Sequence, residues 1–165
     1  MNPTPGHRAV FLDRDGTLMR DTGYPRHRDD VSLLAGAADA LSLLAEAGYL
    51  RVVITNQSGI ARGRLTLADF QVVQAELESR LAQQGASIDA TYWCPHLPDA
   101  GCTCRKPGTA LHREAAARLG IDLTRSWYVG DKPSDTAPAV ELGGRQALVT
   151  GDSTLLDIAR RIMAS

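Results

Sequence analysis

The sequence predicts a doubly wound, Rossmann-like α/β domain, with a parallel sheet flanked by helices on both faces. Short apolar runs alternate with helical stretches along the chain. The runs are continuously apolar instead of alternating, as strands buried on both faces require. Polar clusters follow the ends of several runs, and in doubly wound sheets ligands collect outside the carboxyl ends of the strands.

Five runs read as strands, at residues 8–12, 51–55, 90–93, 126–130 and 146–149. The clearest helix begins after Thr66, a good N-cap, and places Phe70, Val73, Leu77 and Leu81 on one face, with Gln, Glu and Arg expected on the other. Further helices are expected at about 36–47, 109–119 and 154–163, with Gly48 and Gly120 where a helix C-terminus tolerates positive φ. Pro138 fits a helix starting near Thr136, with the proline in its first turn. Right-handed crossovers then bring Asp13-Arg14-Asp15-Gly16-Thr17, Asn56-Gln57-Ser58-Gly59, the cysteine loop and Asp131-Lys132 to one rim.

A chain of 165 residues buries roughly 70% of its unfolded surface, so one domain spanning 1–165 is expected. A net charge of -1 offers no excess of cations for a phosphate polymer, which argues against a nucleic-acid partner. No window is apolar for long enough to cross a bilayer, and the opening residues hold no signal-like apolar stretch, so a cytoplasmic protein with no membrane partner is expected. Cys94, Cys102 and Cys104 are odd in number and fit a metal site better than a disulfide framework.

Asp13 and Asp15, two apart after a buried strand, can present one carboxylate as nucleophile and the other as proton donor and acceptor. Taken alone, the pentad reads equally as a polar strand-to-loop turn. Thr55 can hold a phosphoryl oxygen or simply serve a turn, and Lys106 can neutralise a phosphoryl group or be merely solvated. Asp131 offers a second carboxylate to Mg²⁺, or is an ordinary aspartate at a helix N-terminus. Cys94-x-His96 and Cys102-x-Cys104 supply a complete tetrahedral set for a structural Zn²⁺, the alternative being coincidentally buried cysteines. Such an ion would pin a loop at 94–107 and so place Arg105 and Lys106. His7, His27 and His112 are assigned nothing, and Trp93 and Trp127 read as packing residues.

Together, Phe11-Leu12-Asp13-Arg14-Asp15-Gly16-Thr17, Thr55-Asn56, Lys106 and Gly130-Asp131 resemble the four signatures of the haloacid dehalogenase superfamily. Gly23-Tyr24, the run from Thr55 to Gly63, Cys94-Pro95-His96, the run from Cys102 to Pro107 and Val129-Gly130-Asp131-Lys132 resemble its heptose bisphosphate phosphatases, over about residues 8 to 150. The related histidinol-phosphate phosphatases usually carry Asp where this chain has Ser58, although the five residues between His96 and Cys102 resemble theirs.

This resemblance implies a capless phosphatase fold with a zinc-binding loop, and a nucleophile, Asp13, that becomes phosphorylated while Asp15 serves as acid and then base. It implies Mg²⁺ at Asp13, Asp131, the Asp15 main chain and the Lys132 carbonyl, with Asp135 orienting neighbours. Thr55, Asn56 and Lys106 would hold the transferring phosphoryl oxygens, and Arg105, Gln57, Ser58 and the segment Asp21, Thr22, Gly23 and Tyr24 the rest of a small sugar phosphate. The connections leave no room for a cap, so an open site and a monomer are expected. Histidinol phosphate as substrate, a phosphotransferase and a catalytically silent zinc-stabilised binding module are the alternatives.

Overall fold

Continuous apolar runs make strands buried from both sides, and the computed structural model arranges five of them in one parallel sheet of order β3-β2-β1-β4-β5. It describes residues 4–165; residues 1–3, the start of the expected domain and of the segment read for a signal, lie outside the described residues. The strands are β1 (Arg8–Leu12), β2 (Tyr49–Asn56), β3 (Ala90–Cys94), β4 (Trp127–Gly130) and β5 (Arg145–Leu148). Alternate residues of β1 feed two cores: Val10 and Leu12 on one face, Ala9 and Phe11 on the other. Strand order reverses at β1, which makes the carboxyl ends of β1, β2 and β4 the place for a ligand.

The helices are α1 (Ala37–Glu46), α2 (Ser58–Ala61), α3 (Leu67–Gln83), α4 (Ala110–Leu119), α5 (Pro133–Thr136), α6 (Pro138–Leu142) and α7 (Leu155–Met163). Thr66 caps α3 in a reciprocal box with Asp69, and Thr154 caps α7 in the same way with Asp157. Two expectations are corrected. The helix expected to start near Thr136 is two short helices, each with a proline at its start, because proline lacks the N–H of a helix interior but suits a first turn. Gln74, expected on the polar side of α3, is buried with Phe70 and Val73. Among the described residues no helix is long and apolar enough to cross a membrane. The β1-to-α1 connection is residues 13–36 with one 3-10 turn, and the β2-to-β3 connection is α2 and α3.

Candidate active site

Asp13 follows the last residue of β1, and its N–H still pairs with the Val129 carbonyl at 3.0 Å, so the sheet aims this carboxylate. The chain then turns: Leu18 N–H donates to Arg14 O at 2.9 Å, and Gly16 sits at φ 89. A Cβ at Gly16 would meet Asp131 Oδ2 at 2.3 Å, so this position needs glycine for backbone and space alike. Across the sheet, a Cβ at Gly130 would lie 2.3 Å from Asp135 Oδ2, and its absence lets Asp135 close in on β4.

Lys106 arrives from the cysteine loop and is buried, its Nζ donating to Asp13 Oδ1 at 3.0 Å and Asp135 Oδ1 at 2.7 Å. The Ile54 carbonyl is its third acceptor. Burial alone would depress this amine, but the two carboxylates outweigh it and hold its pKa above the usual lysine value. Asp135 Oδ2 also accepts the Lys132 N–H at 3.0 Å. Its acidity is weakened first by burial, then by the Asp13 charge, with Lys106 opposing.

Asp15 is held from two sides. Gln57 Nε2 donates to its Oδ2 at 2.9 Å and to Thr55 Oγ1 at 2.9 Å, and the Arg14 guanidinium reaches both carboxylate oxygens. Burial raises the Asp15 pKa above the usual carboxylate value, the Arg14 charge opposes, and the Asp13 charge adds to the rise. A carboxyl with weakened acidity is suited to carry a proton to a leaving group.

Oxygens of Asp13, Asp131 and Asp135 can lie within 4.8 Å of one another. Asp131 Oδ1 is buried without a hydrogen-bond partner, and burial followed by the Asp13 and Asp135 charges pushes Asp131 up to about 6. An orphaned anionic oxygen beside two further carboxylates is the donor set of a hard divalent cation such as Mg²⁺. Sγ of Cys94, Cys102 and Cys104 and a ring nitrogen of His96 form a second group within 4.8 Å. Cys94 Sγ stands 3.7 Å from Cys102 Sγ, close to the ligand separation of about 3.7 Å around a tetrahedral ion with bonds of about 2.3 Å, so this cluster fits a zinc-binding loop.

A cleft of about 180 Å³ joins most of these groups, lined by Asp13, Asp15, Asp21, Gly23, Tyr24, Thr55, Asn56, Gln57, Ser58, Arg105, Lys106 and Lys132. Gly59, Ser134 and Asp135 complete the wall. Asp131 does not line it but keeps a carboxylate oxygen within 4.8 Å of Asp13 and Asp135, and Thr22 is exposed on the Asp21–Tyr24 loop without lining it. Asn56 turns its amide to the Lys106 main chain. Arg105 Nη1 is buried without a partner, which leaves a cation in the wall ready for an anion. The sequence reading missed Ser134 and the direct ion pair of Asp135 with Lys106; the spacing of Asp135, four residues after Asp131, was its available signal.

A HAD-hydrolase-like family model matches residues 103–163. The D-glycero-beta-D-manno-heptose-1,7-bisphosphate 7-phosphatase of Photorhabdus laumondii is 40% identical over 157 residues, covering 90% of this chain and 84% of that protein. The enzyme of that name from Escherichia coli K12 is 39% identical over 152 residues, covering 87% of this chain and 80% of its own. The crystal structure of D,D-heptose 1.7-bisphosphate phosphatase from B. bronchiseptica, complexed with magnesium and phosphate, aligns with TM-score 0.86 at 32% identity, over 95% of this chain and 98% of that one.

Proposed function

Because this chain belongs to the HAD-hydrolase-like phosphatases, with the heptose bisphosphate enzymes as its relatives, we propose that it removes the 7-phosphate of D-glycero-D-manno-heptose 1,7-bisphosphate through a phosphorylated Asp13. It is a phosphoric monoester hydrolase. The observation that carries the mechanism is the contact between Asp13 and the buried Lys106 in the wall of a cleft that Asp15 and Thr55 also line.

In this reading Asp13 Oδ attacks phosphorus, and the bond from phosphorus to the sugar oxygen breaks as Asp15 delivers its proton to that oxygen. Lys106 and Thr55 Oγ1 hold the phosphoryl oxygens in flight, while Asn56 acts by fixing the Lys106 backbone. Asp15, now ionised, takes a proton from water, which attacks phosphorus and releases phosphate and the Asp13 carboxylate. Asp13, Asp131 and the Asp15 and Lys132 main-chain carbonyls would hold Mg²⁺, which when bound screens the repulsion between nucleophile and phosphate.

The unpartnered Nη1 of Arg105 supports recognition of the second phosphate, since guanidinium forks suit phosphate oxygens. Gln57, Ser58, Asp21, Thr22, Gly23 and Tyr24 would contact the sugar. Zn²⁺ at Cys94, His96, Cys102 and Cys104 would order the loop 94–107, within a single cytoplasmic, monomeric domain. The test is phosphate release with Mg²⁺ from both heptose 1,7-bisphosphate anomers and from histidinol phosphate, with Asp13→Asn as control. Selective loss of the 7-phosphate, abolished in the control, is expected; preference for histidinol phosphate would overturn the substrate.

A further inference from the structure

Arg14 sits inside the catalytic pentad, yet the reaction described above gives it no part. We infer that Arg14 is a positioning residue for Asp15, held in place by Gln74 of α3; the inference rests on the reading of Asp15 as the proton donor.

Arg14 is fully buried and is the largest side chain of that kind among the described residues. Its guanidinium lies over the Phe70 ring, 4.9 Å from the centroid, and Trp93 backs Phe70 at 5.0 Å. Nε donates to Asp15 Oδ2 and Nη2 to Oδ1, each at 3.3 Å. Nη1 points the other way, to Gln74 Oε1 at 3.5 Å, and Gln74 Nε2 donates on to Thr91 Oγ1 at 3.0 Å. A continuous polar chain therefore runs from β3 through α3 to the proton donor.

Two physical consequences follow from the burial. Asp15 is the one carboxylate within ion-pair distance of Arg14 among the described residues, so turning Asp15 away would leave a buried cation uncompensated. Asp15 is thereby confined to orientations that keep the pair. The guanidinium itself cannot drift, because an aromatic face and the Gln74 carbonyl oxygen hold it from behind. Arg14 and Gln74 do not line the cleft, so they touch no substrate and act only through Asp15. This also accounts for Gln74, a buried amide on the otherwise apolar face of α3.

The test separates proton donation from general damage. Transfer of phosphoryl from a sugar requires a proton on the departing alkoxide, whereas p-nitrophenolate leaves without one. The quantity kcat/KM reports the first transfer alone, before water attacks. In the full-length protein with Mg²⁺, kcat/KM would be measured on heptose 1,7-bisphosphate and on p-nitrophenyl phosphate for wild type, Arg14→Met, Gln74→Leu, Gln74→Glu and Asp15→Asn. Arg14→Met removes the cation outright and is expected to impair folding, so Gln74→Leu, checked by circular dichroism and melting, carries the test.

The sugar-to-aryl ratio is expected to fall by at least about tenfold in Gln74→Leu, and to fall in Gln74→Glu as well, because its carboxylate would compensate Arg14 in place of Asp15 and release the proton donor. An unchanged ratio in Gln74→Leu, alongside a collapsed ratio in Asp15→Asn, would overturn the positioning role and leave the proton donor standing. An unchanged ratio in Asp15→Asn would overturn the proton donor, and this inference with it.

Discussion

Asn56 grips the main chain of Lys106 at two points, its Oδ1 accepting the Lys106 N–H at 3.0 Å and its Nδ2 donating to the Lys106 carbonyl at 3.2 Å. The end of β2 is thereby tied to the residue of the cysteine loop that reaches Asp13. Asn56→Ala is expected to lower kcat/KM about ten- to hundredfold, since small misplacements of a charged group are costly. It should also destabilise the fold by about 1–3 kcal/mol, through two backbone groups left unpaired. Steady-state kinetics and urea unfolding check both.

His112 packs against the stacked Phe11 and Tyr128 rings, with centroids at 5.1 and 5.5 Å, and its Nδ1 has no partner. Burial, reinforced by the Lys106 charge, pushes its pKa down to about 3 from 6.5. The unfolded chain therefore binds the extra proton, so the stability held above pH 6.5 is lost as pH falls toward 3. Between pH 7 and 5 this one group accounts for about 2 kcal/mol. His112→Leu is expected to keep its pH 7 stability within about 1 kcal/mol and to show a shallower loss at pH 5, read by denaturant melts at the two pH values.

Asp13, Asp131 and Asp135 group three carboxylates, and the single Lys106 ammonium shared by Asp13 and Asp135 offsets only part of their repulsion. Mg²⁺ at 100 times its dissociation constant is expected to stabilise the fold by about 2.7 kcal/mol. Asp131→Asn should remove most of that gain, together with activity. Thermal melts with and without Mg²⁺ supply the readout.

Cys102→Ala is expected to lose bound zinc and at least about tenfold in kcat/KM together, because Arg105 and Lys106 follow directly on the cluster. Zinc content and phosphate release measured on one preparation decide it. Full activity in zinc-free protein would separate the loop from catalysis.

Much of this architecture is legible in the sequence. Continuous apolar runs announced a two-sided parallel sheet, and the motif spacing placed Asp13, Thr55, Lys106 and Asp131 at its carboxyl edge. Position along the chain does not reveal where an amide points. Asn56 reads in the sequence as a group that holds a phosphoryl oxygen, and the folded geometry shows its side-chain Oδ1 and Nδ2 both bonded to the Lys106 main chain. The residue type assigns Gln74 to the polar face of α3, since glutamine is mostly exposed, and its burial goes with its bond to Arg14, a cation sixty positions away in sequence. Pro138 in a first turn fits one helix starting near Thr136, whereas the backbone forms two short helices, each opened by a proline.

The central claim is covalent chemistry at Asp13, and trapping it is the most direct test. During turnover of heptose 1,7-bisphosphate with Mg²⁺, the protein would be quenched and reduced with borohydride, which converts an acyl phosphate to the alcohol, and then read by peptide mass spectrometry. Homoserine at position 13, present only with substrate and absent in Asp13→Asn, is the expected result. Turnover with no modification at position 13, or with the modification at another carboxylate, would contradict it.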